Sequence, residues 1–520
     1  MIGLEPAQWS GLIPLPVIIP LVAAGITLAL YRYPRLQRLI SMVALSSVLL
    51  VSIGLLIIVD TGPVVVDIGG WVAPVGIPLV ADRLAALMLT VSSAVILCVL
   101  LYSLGQGHAD GDEEVPVSIY HPTYLVLAAG VANTFLAGDL FNLFVGFEIL
   151  LAASFVLLTL GGSRSRIRAG TVYVVVAVVA STLFLVAIGL IYAATGTVNL
   201  AQLSIRLAEI DPGLAIACEL LLLLAFGVKA AVFPLSAWLP DSYPTAPAPV
   251  TAVFAGLLTK VGVYAILRTE TLLFPGEQLR SLLLIAALAT MIVGILGALA
   301  QSDLKRLLSF TLVSHIGYML FGIGLASEAG LSGSVFYVVH HITVQTVLFL
   351  VAGLVERHGG TTSLERLGGL ARLAPFLALL FFISAMNLAG IPPMSGFLGK
   401  VGLIQAGIEA GTPLAWMLVA GSVLTSLLTL YAVTKAWNKA FWQAIPAGDV
   451  PVRLPRGMVL PTAGLVIAMV GITFVAGPLY GYTSRAATDL TARTPYLHSV
   501  LPDYVEGKTE AEVIDTAEEP

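Results

Sequence analysis

Between residues 11 and 480 the sequence returns repeatedly to apolar runs about as long as a bilayer's hydrocarbon core is thick. Roughly 20 apolar residues in helical conformation cross such a core, and lipid offers no partner for unpaired backbone groups. That recurrence leaves one class of fold, an all-α polytopic membrane protein. The runs lie near 11–30, 39–59, 84–106, 120–138, 140–161, 169–195, 214–234, 246–268, 279–301, 305–325, 332–355, 373–411, 414–434 and 458–480, which predicts about fourteen spans. Composition agrees: 58% of the 520 residues are hydrophobic and 11% charged, with a mean hydropathy of +0.99. Soluble domains carry about 25% charged residues. The first run lacks a basic start and a small-residue cleavage site, so it reads as a span and not as a leader.

The twelfth run, 373–411, is too long for one straight helix, and its "AGIPPMSG" predicts a break at Pro392 and Pro393. "GVKAAVFPLSAWLP" (227–240) predicts a similar break at Pro234. Proline removes a backbone donor and frees carbonyls, which at membrane depth must find protein or water. "FPLSAWLP" and "PPMSGFLG" echo one another, and each has a lysine nearby. Two interrupted helices in corresponding positions point to a transport site. Residues 60–83 read as a small hairpin outside the membrane. Residues 198–210 read as a short interfacial amphipathic helix, and 481–520 as a polar, acidic, mobile tail.

With the loop between the first two spans in the cytoplasm, fifteen of the 25 Lys and Arg fall on that side and seven on the other. This bias puts both termini outside. Lys229, Lys260 and Lys400 remain inside spans, and Glu148 joins them in "LFVGFEILLAASF". Each charge at the bilayer centre costs roughly 2.5–3.5 kcal/mol. Snorkelling is a fair account of Lys400 but not of the short Glu148 side chain. Glu148, Lys229 and Lys260 are therefore read as a proton relay. An opposite charge holds a buried lysine's proton, and withdrawing that charge readies it for release.

His315, His340 and His341 extend the row with imidazoles suited to proton transfer. A single buried histidine is more often a hydrogen-bonded core residue; three on neighbouring spans amid lysines favour a relay. Gln345, one turn after His341, could hold water there. Asp139 stands at a span boundary, where it could cap a helix or join the relay. Glu219 reads as interfacial. Cys98 and Cys218 lie far apart in apolar runs and suggest neither a disulfide nor a metal site. No phosphate-binding loop, dinucleotide fingerprint or metal cluster is present, and no basic patch suggests nucleic acid.

"GDLFNLFVGFEILLAASFVLL", "KAAVFPLSAWLPDSYPTAPAPVTAVFAGLLTKVGVY", "DLKRLLSFTLVSHIGYM" and "GIPPMSGFLGKVGL" resemble the antiporter-like subunits of respiratory complex I, membrane hydrogenases and Mrp multisubunit cation/proton antiporters. The resemblance spans most of residues 120–440 and is nearest to the D-type subunits of the Mrp group. It implies fourteen helices with two inverted five-helix repeats, over 120–268 and 279–434, and broken helices 7 and 12. The remaining units would be 1–119, with the first three helices and the hairpin, 435–480, with a loop and the last helix, and the tail 481–520. It assigns Glu148, Lys229, Lys260, His341 and Lys400 to proton or ion translocation. Many relatives carry lysine where this chain has Gln345.

The implied function is a subunit of a secondary antiporter, Na+ out and H+ in, in a prokaryotic cell membrane. It would have no cofactor and no enzymatic role, and its partners would be the bilayer and other membrane subunits, including a larger homologue. The alternatives are a proton-pumping subunit of a redox-driven complex, and a non-conducting scaffold.

Overall fold

The structure, a computed structural model, describes residues 6–107, 109–110, 113–114, 117–445 and 454–502. Among these, twelve helices are long and apolar enough to cross a membrane. They are α1 (Trp9–Ala29), α2 (Pro34–Thr61), α3 (Arg83–Gln106), α5 (Leu140–Thr159), α6 (Arg164–Thr195), α7 (Pro212–Ala230), α8 (Ala248–Leu272), α9 (Arg280–Leu299), α10 (Leu304–Leu325), α11 (Glu328–Gly359), α14 (Pro413–Trp442) and α15 (Arg456–Phe474). The 20-residue apolar helix α4 (Val117–Leu136) lies between α3 and α5. The twelfth predicted span is two helices, α12 (Pro375–Ala389) and α13 (Ser395–Ala410). The fourteen predicted runs are thus all helical.

β1 (Val64–Ile68) pairs antiparallel with β2 (Ile77–Ala81), as the hairpin expectation required. Two other expectations are corrected. The helix Leu200–Arg206 is buried from Leu200 to Ile205, so it is packed inside protein and does not lie on a membrane surface. The tail folds on past residue 481, through α16 (Ala476–Ala492) and α17 (Thr494–Val500). Thr483, Ala486, Ala487 and Leu490 of α16 are buried at i, i+3, i+4 and i+7, the stripe of a helix laid on a core. Thr483 Oγ1 meets Ser332 Oγ of α11 at 3.0 Å. The acidic end, 503–520, lies outside the described residues.

The most apolar stretches of α8 and α11 are entirely buried, whereas those of α1 and α15 are 33% and 28% buried. The helices of Lys260 and the histidines, α8, α10 and α11, are therefore the protein-lined centre, whereas α1, α2, α6, α15 and the Lys229 helix α7 keep a larger outward face. Lipid-side burial needs only apolar side chains, but a charge requires protein or water around it.

Two stretches of the chain repeat each other in detail. Helices α6 and α11 both have 32 residues. Ser163 caps one and Ser327 the other, each accepting from a backbone N–H three residues on, and each helix ends at a glycine in the left-handed region, Gly196 or Gly360. Asp139 caps α5 and Asp303 caps α10. Isolated bridges join Asp139 to Asn199 and Asp303 to Ser363, the second bridge displaced from the first by 164 residues at both ends. Each pins a helix start to the loop beyond the next helix, through Leu140 N to Val198 O in one case and Leu304 N to Thr362 O in the other, both 2.9 Å.

The breaks correspond too. Helix α7 gives way at Ala231 and α12 at Gly390, both left-handed and 159 residues apart.

Candidate functional site

Helix α7 stops because Ala231 turns into the left-handed region at φ 60°, and its N–H closes back onto the last turn. Beyond it, Pro234 has no N–H with which to resume the ladder. The carbonyl of Val228 accepts that Ala231 N–H at 3.2 Å and also accepts from Trp238 Nε1 at 3.1 Å. Lys229 therefore sits in the final turn, its Nζ donating to Ser181 Oγ on α6 at 3.0 Å and standing 5.6 Å from the Phe147 ring centroid. Glu148, next to Phe147, is partly buried, and its Oε1 has no hydrogen-bond partner. No ion pair within 4.0 Å joins Glu148 to Lys229, although the carboxylate acts on the ammonium electrostatically. The expected partners are thus neighbours, but a neutral hydroxyl holds the amine. Beside Lys229 lies a cavity of about 30 Å³ walled by Phe147, Tyr173, Trp238 and Tyr243, enough for a water or two.

Lys260 is fully buried. Helix α8 takes a π-helical turn over Phe254–Leu258, and Lys260 Nζ donates to Ala255 O within it at 2.6 Å. Such turns leave a carbonyl free to accept and are common at functional sites. Glycine is needed here: a Cβ on Gly256 would overlap Thr346 Oγ1 of α11. Close approach of α8 to α11 brings Lys260 toward the histidines.

His315 of α10 and His341 of α11 stack with ring centroids 5.1 Å apart. Tyr337 stacks on His315, and their hydroxyl and Nδ1 are 2.7 Å apart. His340 Nδ1 lies 3.0 Å from Ser395 Oγ, at the start of α13 beyond the second break. His315 Nε2, His340 Nε2 and both nitrogens of His341 have no hydrogen-bond partner. All three histidines are fully buried, and a buried unpaired polar nitrogen costs about 1–3 kcal/mol. Three together mark either a water row or a path that needs them unsatisfied. Gln345 Nε2 donates to Leu308 O at 2.8 Å, and its Oε1 is free toward the same interior.

Lys400 is 4% exposed and does not snorkel. Its Nζ donates to Ala389 O at 3.0 Å and Leu388 O at 3.3 Å, carbonyls that the break after α12 releases. It also stands 5.0 Å from the Tyr318 ring centroid. Tyr318 Oη lies 2.7 Å from Thr425 Oγ1 and 2.9 Å from Ser426 Oγ of α14. Pro392 and Pro393 fall between α12 and α13, as expected.

The structure thus gathers Lys260, His341, His315, His340 and Lys400 in one buried row, with Gln345 beside it, and leaves Glu148 and Lys229 as a group on α5 and α7. Asp139 stands apart as the cap of α5, Oδ1 accepting from Asn142 N at 2.7 Å. It lies outside the spans, and burial pushes its carboxyl up to about 6. Glu219 is buried within the protein in the first half of α7. Sequence reasoning missed Ser181, Tyr318, Tyr337 and Ser395. Small hydroxyls and aromatics in apolar runs read as core; the one available signal was Tyr337, one turn before His341 on its helical face.

A family profile described as NADH:quinone oxidoreductase/Mrp antiporter, TM matches residues 137–426, the stretch that holds every one of these charged groups. The chain belongs to that family. Its relatives include the D-type subunit of a Na(+)/H(+) antiporter from Alkalihalophilus pseudofirmus, 39% identical over 95% of this chain and all of that one. The protein of the same name from Bacillus subtilis is 37% identical over 94% of this chain and 99% of its own length. Among solved structures, a chain of the Mrp complex from Dietzia sp. superposes with a TM-score of 0.89 at 33% identity, covering 95% of this chain and 99% of that one. A chain of the membrane-bound sulfane sulfur reductase, an archaeal respiratory membrane complex, gives 0.87 at 26% identity over 94% and 99%. Within this family the chain is a full-length match to the D-type antiporter subunits.

Proposed function

We propose that the chain is the D-type component of a multisubunit Na+/H+ antiporter of a bacterial cell membrane, with both termini on the outer face. It moves protons inward through Glu148, Lys229, Lys260, His341 and Lys400, with His315, His340 and Gln345 completing the row. Asp139 serves by shaping the start of α5. The observation that carries this reading is the buried row from Lys260 to Lys400. Its ammonium groups, like that of Lys229, rest on neutral hydroxyls and carbonyls, not on fixed carboxylates. An amine in a permanent buried ion pair keeps its proton; one held by neutral acceptors can give it up.

In this reading a proton on Lys229 is retained while Glu148 is close and released toward Lys260 when the carboxylate moves away. The histidines and interior water carry it to Lys400. Nothing in the sequence asks for a resident cofactor, and the chain acts as part of a transporter alongside other membrane subunits, including a larger homologue. The full-length likeness to a chain of an archaeal respiratory complex favours one second reading, a proton-conducting component powered by redox chemistry. Purified complex, reconstituted in vesicles without any electron donor, separates the two. Na+-driven proton uptake supports the antiporter. Proton movement only on addition of a reductant supports the second reading.

A further inference from the structure

Two carboxylates outside the lysine row share an unusual setting. Glu219 on α7 lies ten residues before Lys229, and Glu270 on α8 lies ten residues after Lys260. Ten helical residues span about 15 Å, so each acid stands that far from its helix's lysine, toward the face that carries the β1–β2 hairpin. Arg268, two residues before Glu270, fixes that face through its 2.7 Å ion pair with Asp82 at the end of the hairpin.

Glu219 is 6% exposed and makes no hydrogen bond or ion pair among the described residues. Glu270 Oε1 is buried without a partner. The two carboxylates repel one another across the α7–α8 interface, and Arg280 of α9 acts on Glu270 from the other side. Glu270 and Arg280 line a cavity of about 100 Å³ closed by the ends of α10 and α11 and by Leu490 and Thr491 of α16. Arg280 Nε, like Glu270 Oε1, has no partner. The lining from α10, α11 and α16 carries no charge. A volume of that size holds several waters. Two like charges left unpaired and nearly buried are costly, and a purely structural role would have paired them.

We propose that Glu270 with the cavity it lines, and Glu219 across the α7–α8 interface from it, form a proton-collecting port on the hairpin face, feeding the lysine helices α7 and α8. Carboxylates in a low-dielectric mouth raise the local concentration of protons and steer them inward. Arg280 keeps the site from holding both negative charges at full strength. This port rests on the proton path proposed above.

The test uses the whole complex in vesicles with the hairpin face outward, an internal pH dye, and the external pH varied at saturating Na+. Wild type is measured first; if it moves no protons, the antiporter reading itself fails. Given active wild type, E270Q and E219Q should each require a roughly tenfold higher proton concentration for half-maximal rate. Their maximal rates should stay within about twofold of wild type. Glu270→Asp, which restores the carboxyl, should recover most of the shift. Three results would overturn the port: an unchanged pH profile, a uniform loss of maximal rate that Glu270→Asp does not rescue, or a shift in Na+ half-saturation in place of proton half-saturation.

Discussion

The two halves of the molecule each carry a helix interrupted at a proline-containing linker, but the lysine stands on opposite sides of the two breaks. Lys229 precedes the first break; the residue 159 positions on is Leu388. Lys400 follows the second; the residue 159 positions back is Asp241, which pairs with Arg306 at 2.9 Å. Lys400 reaches back to the carbonyl of Leu388, so the second ammonium sits where the first half's lysine backbone would be. The 164-residue correspondence sharpens the contrast. Tyr173 and Tyr337 are counterparts, as are Ser181 and Gln345, and Ser154 and Tyr318. In the first half the tyrosine hydroxyl meets Ser154 Oγ at 2.7 Å, and Ser181 holds the lysine. In the second half the tyrosine meets a histidine, and Gln345 bonds only backbone. One scaffold has thus been furnished twice. The first half holds a lysine on a serine hydroxyl, with a carboxylate nearby and a small cavity beside it, and the second is an imidazole stack ending on a lysine over broken-helix carbonyls.

The largest expected difference between the halves is at the paired tyrosines. Tyr337→Phe keeps the ring stack but leaves His315 Nδ1 unpaired, and proton flux should fall roughly tenfold, about 1.4 kcal/mol of barrier. Tyr173→Phe loses only a bond to a serine, and its flux should stay within about twofold. Equal effects would mean that the tyrosines serve packing alone.

Next come the caps of the two breaks. Gly390→Ala should destabilise the complex, since the left-handed conformation costs a non-glycine residue about 1–2 kcal/mol, and the new methyl would press on Lys400 Cδ at 3.0 Å. Ala231→Gly should stabilise it by up to a similar amount, because Ala231 already bears that strain at φ 60°. Thermal unfolding in detergent reads both, and same-sign shifts would break the correspondence.

The smallest effect is at Asp139. Its folded carboxyl is raised from 3.8 to about 6 by burial, so the folded state holds the proton more tightly than the unfolded one. Stability should therefore fall as pH rises from about 4 to about 6 and level off above. Asp139→Asn keeps a capping oxygen, so the variant should lack this decline and melt a few degrees higher than wild type near neutral pH. A decline that persists in the variant would place its origin elsewhere.

Much of this was legible because lipid narrows the options. Run length set the spans, proline set both breaks, and stranded charges set the lysine row. The partners of those charges were not legible. Ser181 and Ser395 are single hydroxyls among dozens, and only three-dimensional proximity distinguishes them. Helix α16 reads as polar tail because its charged and hydroxyl residues mask a buried stripe, Thr483, Ala486, Ala487 and Leu490. A periodicity count would have found it. The longer correspondence was also written in the chain, in the "GDL" at 138–140 and the "SDL" at 302–304, and in the paired serine and glycine caps of α6 and α11. The proline echo is conspicuous because it interrupts an apolar background, whereas caps fall in loops.

If the two halves form one path in series, neither lysine can be spared. Sodium-driven proton uptake should be measured side by side in vesicles holding the assembled complex with Lys229→Ala and with Lys400→Ala. Each variant, with its subunits all present, should lose flux by more than about a hundredfold. Wild-type flux through either assembled variant would contradict a path in series.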